Sequence, residues 1–95
     1  MSTGIVHLVQ KSPHSSSALS DCLAVCREDD HLVLMHDACY AATEAIPSAP
    51  TAVYVLRDDV AERGLLERVQ SGVAVLDYAD LVELCGQHRH SQSWF

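Results

Sequence analysis

Four short runs of apolar, largely β-branched residues recur along this chain, each followed by a stretch of helical character. No other feature narrows the fold as much. The runs are Ile5-Val6-His7-Leu8-Val9, His31-Leu32-Val33-Leu34-Met35-His36, Thr51-Ala52-Val53-Tyr54-Val55-Leu56 and Val73-Ala74-Val75-Leu76. Strands that alternate with helices predict βαβ units, hence an α/β layered sandwich with a mostly parallel central sheet and helices on its faces. The second run is almost wholly apolar between its two histidines, as a strand covered on both faces requires. The 95 residues suit one domain, too short for two independent cores.

The intervening stretches carry capping and stop signals. After Lys11-Ser12-Pro13, any of Ser15, Ser16 or Ser17 can cap a helix over 18–27. Leu19, Cys22, Leu23 and Cys26 then share one helical face. Glu28-Asp29-Asp30 closes that unit. Asp37 reads as the N-cap of a helix over 38–46, and Pro47 and Pro50 bracket a turn. Residues 58–63 predict a short helix stopped by Gly64, with 65–71 a turn or second helical piece. Asp77 caps a last helix over 78–85, in which Leu81, Val82, Leu84 and Cys85 are apolar. A polar tail over 88–93 then ends in Trp94-Phe95, an apolar pair expected to tuck into a groove or pack on a partner.

Charge excludes some partners. Thirteen acidic against six basic side chains give a net charge of −7, which opposes direct contact with a nucleic-acid backbone or an anionic membrane. No apolar run approaches the roughly 20 residues of a membrane span, and no export signal is apparent, so a cytoplasmic location is expected. In that reducing compartment Cys22, Cys26, Cys39 and Cys85 are expected as thiols. Cys22 reads either as a small core residue or as a thiolate activated near a helix start. Cys26 and Cys85 fit core stripes. Cys39 follows the carboxyl end of an apolar strand, the edge where open α/β sheets bind ligands. The six histidines (His7, His14, His31, His36, His88, His90) are scattered without metal-ligand spacing, so no metal site and no cofactor is expected. Nucleotide-binding and serine-hydrolase motifs are also missing from the sequence.

Four stretches together resemble the DsrH/TusB family of bacterial sulfur relay: Ile5-Val6-His7-Leu8-Val9-Gln10-Lys11-Ser12-Pro13, Leu32-Val33-Leu34-Met35-His36-Asp37-Ala38, the segment from Val53 through Gly64, and that from Val75 through Leu84, with a near-terminal Trp94. The resemblance spans essentially the whole chain. It implies a DsrE-like fold and a heterohexamer with DsrE/TusD-like and DsrF/TusC-like subunits, passing persulfide sulfur to a TusE/DsrC-like acceptor. In the Dsr branch, of sulfur-oxidising bacteria, this subunit carries a cysteine in its first helix. Cys22 falls at that position, which favours the Dsr-type reading with Cys22 as carrier and Cys39 as the alternative. In the Tus branch, which serves 2-thiolation of the tRNA wobble uridine, the subunit often lacks a relay cysteine. A rival reading is a non-catalytic scaffold with Trp94, Phe95 and Tyr40 at its interfaces; a stand-alone homo-oligomer is a third. Where the family has Asp-Gly this chain has Asp37-Ala38, which fits only if φ there is negative.

Overall fold

Parallel strands need crossovers, and the direction of each crossover decides which face its helix covers. The computed structural model describes residues 4–44, 52–88 and 90–94. Its strands β1 (Ile5–Val9), β2 (His31–Leu34), β3 (Ala52–Leu56), β4 (Val73–Leu76) and β5 (His90–Trp94) form one all-parallel sheet in the order β4-β3-β2-β1-β5. The expected α/β sandwich is the observed fold. Three steps advance from β1 to β4 through α1 (Ala18–Val25), a 3₁₀ helix (His36–Thr43) and α2 (Arg57–Glu62), the last followed by a 3₁₀ turn (Leu66–Arg68). These helices share one core, in which Leu19, Cys22, Cys39 and Val60 join Leu32, Leu34 and Val55. The chain then turns back through α3 (Tyr78–Gly86), whose Leu81 packs on the other face with Val6, Val33 and Leu56. Crossovers of constant hand put the returning helix on the opposite face.

β2 runs apolar because both faces of the sheet claim it: Leu32 and Leu34 enter the first cluster and Val33 the second. Helix ends follow local chemistry. Ser17 is the N-cap position of α1 without a side-chain cap bond; its hydroxyl binds Asp21 instead, at 3.0 Å. Asp77 closes a reciprocal capping box with Asp80, as its position predicts. Gly64, at φ 69°, ends the α2 unit in the left-handed conformation that only glycine adopts freely.

The helix expected over 38–46 differs in kind. Residues 36–43 wind as a 3₁₀ helix; Ile46, Pro47, Pro50 and the first residue of the third run lie outside the described residues. Asp37 sits inside that helix rather than capping it. Asp59, on α2, takes over its start by accepting the His36 amide at 2.7 Å, and the Ala38 amide donates to the Met35 carbonyl at 2.9 Å, the i to i−3 bond of the tighter form. The left-handed residue here is His36, at φ 49°, and Ala38 has no positive φ, so an alanine is accommodated beside Asp37. That conformation costs His36 about 1 kcal/mol, and the hydrogen bond its amide donates to the Asp59 carboxylate offsets it.

The polar tail is the largest departure. It forms β5, paired in parallel with β1 from Ile5 opposite His90 to Val9 opposite Trp94. Its serines and glutamine stay exposed because β5 is an edge strand. What fastens it is a chain of buried polar bonds. Asp30 accepts from the Ile5 amide at 2.9 Å, the Arg27 amide at 3.0 Å and His7 Nε2 at 2.9 Å. On the other side of the imidazole, Trp94 Nε1 donates to His7 Nδ1 at 3.1 Å. An indole N–H can only donate, so Nδ1 is the acceptor and the proton resides on Nε2, facing the carboxylate. Burial raises the Asp30 carboxyl, but the bonds from Ile5, His7 and Arg27 outweigh it and hold the group below its ordinary range.

Two outcomes follow from these contacts. A Cβ at Gly4 would run into the Asp29 backbone carbonyl, whereas one at Gly72 meets nothing within 4 Å. Gly4→Ala should therefore cost about 1–3 kcal/mol in urea unfolding, with Gly72→Ala near neutral. Because the folded Asp30 carboxyl titrates below its unfolded value of about 3.9, its contribution is complete above pH ~4 and is lost as pH falls further, through the folded value. Asp30→Asn should cost about 1.5–3 kcal/mol at neutral pH and flatten the acid limb of a plot of unfolding midpoint against pH.

Candidate functional site

A relay cysteine must reach a partner and must ionise. Cys22 is poorly placed for either in this fold. It is the fifth residue of α1, past the first turn where the helix dipole acts, and it has no exposed surface. Its Sγ lies 3.6 Å from that of Cys26. Burial pushes the Cys22 thiol far above its ordinary range, and Cys26 and the Asp30 carboxylate push it the same way. Cys26, half-buried at the end of α1, is also raised by burial, against a lowering bond from Cys22. Lys11 and His14 would be the cations to oppose this if their loop folded over the helix start. Instead Lys11 is exposed at the rim of a cleft of about 320 Å³ beyond β1, and His14 Nε2 faces Glu44 Oε1 at 3.5 Å. The placement of Cys22 thus lends no support to the carrier expectation.

Cys39 is buried as well. It sits in the 3₁₀ helix on the first core, and burial raises its thiol although the Arg63 guanidinium pulls the other way. Arg63 itself is a local organiser: it donates to Asp37 Oδ1 at 3.0 Å and to the Asp59 carbonyl at 3.1 Å, tying α2 to the 3₁₀ helix. Cys85 packs half-buried in the second core.

The interface candidates divide. Tyr40 is exposed, Phe95 lies outside the described residues, and Trp94 turns inward onto His7 and the first core. Other apolar side chains stand out in its place: Tyr78 and Val82, one turn apart on α3, are 63% and 56% exposed, and Val75 on the edge strand β4 is 38% exposed. Of the four apolar residues expected on this helix, Leu81, Leu84 and Cys85 pack in the second core and Val82 does not.

Two histidine clusters were not legible from spacing. The first joins His7, Cys22 and Cys26, whose ligand atoms all lie within 4.8 Å of one another. The second lies on the opposite face. His31 Nδ1 is 3.0 Å from the Tyr54 hydroxyl, its ring meets His88 edge-on at 4.6 Å, and burial, with the charge of His88, lowers its pKa. His88 Nδ1 donates to the Leu84 carbonyl at 2.9 Å, and its buried Nε2 has no hydrogen-bond partner among the described residues. The residues of each cluster come from different elements, which no local motif could reveal.

Comparison with known proteins agrees with this architecture. The family model "DsrH like protein" matches residues 11–91. A relative named Protein TusB, from Escherichia coli O1:K1, is 34% identical over 90 residues, covering 85% of this chain and 95% of its own length. Protein TusB of Shigella dysenteriae serotype 1 is 33% identical over the same span. The solution structure of Protein Tm0979 from Thermotoga maritima superposes with a TM-score of 0.73 at 21% identity, over 87% of this chain and 92% of that one, and so shares the fold. Such matches along most of the chain, on the same order of strands and helices, establish that it belongs to the DsrH/TusB family, whose members are subunits of sulfur relay.

Proposed function

We propose that this chain is a Tus-type relay subunit that positions the sulfur-carrying partner rather than carrying sulfur itself, in an assembly serving 2-thiolation of the tRNA wobble uridine. The single observation that carries the reading is the complete burial of Cys22, the residue that a carrier role would need at the surface. The relatives' name, Protein TusB, supports the Tus branch over the sulfur-oxidation branch that the position of Cys22 in the first helix favoured. The net charge of −7 fits a subunit that leaves RNA to another component.

The partners in this reading are the two related DsrE-like subunits and, through them, a TusE-like acceptor. The surface offered to a neighbour is the edge strand β4 with the exposed Tyr78 and Val82 of the adjacent α3. Aromatic and aliphatic side chains of this kind supply the centre of protein interfaces. No helix among the described residues is long and apolar enough to cross a membrane.

Three measurements test the reading. In cells lacking the chain, a Cys22→Ser variant should restore thiolated uridine in tRNA as well as the parent does, scored by nucleoside mass spectrometry; loss of thiolation with the complex intact would restore Cys22 to the carrier role. In the purified chain, Cys22 and Cys39 should resist alkylation until unfolding, with Cys26 and Cys85 reacting first. Tyr78→Asp combined with Val82→Asp should weaken co-purification of the partner subunits by more than about tenfold while leaving the monomer folded.

A further inference from the structure

We infer that His7, Cys22 and Cys26 form a binding site for a thiophilic divalent cation of the zinc class, with water as the fourth ligand. The inference is independent of the relay reading. It begins with geometry: all three ligand atoms lie within 4.8 Å of one another, and the two sulfurs are 3.6 Å apart. Two thiolates at about 2.3 Å from a tetrahedral zinc stand about 3.8 Å from each other, so the sulfur pair already has the separation the ion needs. Cys22 lies within α1 and Cys26 caps its end, where the backbone turns extended (φ −65°, ψ 146°); His7 reaches them from β1. One helix end and one strand thus supply three donors, the ligand number of an open zinc site.

The surroundings of His7 complete the arrangement. Metal-bound histidines commonly donate their second ring N–H to a carboxylate, which fixes the tautomer and strengthens the ligand. Asp30 provides that bond to Nε2, leaving the Nδ1 lone pair as the donor. The Trp94 indole N–H donates to Nδ1 and competes for that lone pair. Trp94 is only partly buried, on an edge strand, beside a groove of about 600 Å³ that also reaches His7. Binding at Nδ1 displaces one neutral hydrogen bond, whereas binding at Nε2 would strip a partner from a buried carboxylate. The balance is simple: each thiol loses one proton to solvent, the dication gains two thiolates and a neutral imidazole, and the ion with its ligands is uncharged, as burial favours. The ion also supplies the positive charge that the two crowded thiols lack.

The test uses cobalt(II) as a spectroscopic stand-in for zinc, added without oxygen to the reduced 95-residue chain. Thiolate-to-cobalt charge-transfer absorption should grow to saturation at about one equivalent and collapse when zinc is added. Emission from Trp94, the only tryptophan, should change in step as its indole leaves Nδ1. Cys26→Ser, a near-isosteric change at a half-buried position, should weaken cobalt binding by more than about 100-fold, while Cys85→Ser should not change it. Trp94→Phe removes the competing indole N–H and should tighten binding, a response that a packing role for these cysteines would not produce. Failure of the charge-transfer band to appear, its survival in Cys26→Ser, or its loss in Cys85→Ser overturns the proposal.

Discussion

The Asp30 carboxylate is the tie on which the rest of the structure hangs. It accepts from β1 at two points, the Ile5 amide and the His7 ring, and from the Arg27 amide just after α1. Through the imidazole it also governs β5, because a proton held on Nε2 leaves Nδ1 to receive the Trp94 indole. A buried carboxylate without those donors would be severely destabilising. With them it fixes the first βα unit and the last strand in one stroke. The same bonds leave His7 facing the sulfurs of Cys22 and Cys26 with a defined tautomer.

The sheet that results is unevenly covered. One face carries α1, the 3₁₀ helix and α2 over a continuous core, and all of Cys22 and Cys39 is sealed beneath them. The other carries α3 over a smaller cluster, and β4 closes the sheet as an exposed edge. A domain of this size buries a modest share of its surface, so apolar side chains left outside mark where partner burial adds stability. The Cys22 and Cys39 thiols are inside, beneath that first face, and the exposed apolar residues Tyr78 and Val82 are on α3, over the other.

Two local devices show how tertiary contacts override nearby sequence preference. Asp37 has the position of a helix cap, yet Arg63 takes its carboxylate and Asp59 assumes the start of the helix from across the turn. Ser17 stands at the α1 cap position but spends its hydroxyl on Asp21. In both cases a competing partner within reach decided the bond.

Periodicity was enough to determine β1 through β4, the α/β class, the capping box at Asp77 and the stop at Gly64, because each depends on residues adjacent in the chain. The family resemblance was equally legible, being carried by the order of those same segments. β5 was not, since an edge strand of serine and glutamine has no apolar alternation and exists by pairing with β1, more than eighty residues away in sequence. The fate of Cys22 was likewise decided only in three dimensions. Its helical face could be read from spacing, but whether that face met solvent, a partner or the sheet depended on packing against strands distant in sequence. Local order is set by near neighbours along the chain; burial, protonation and the meeting of His7 with two cysteines are set by neighbours in space.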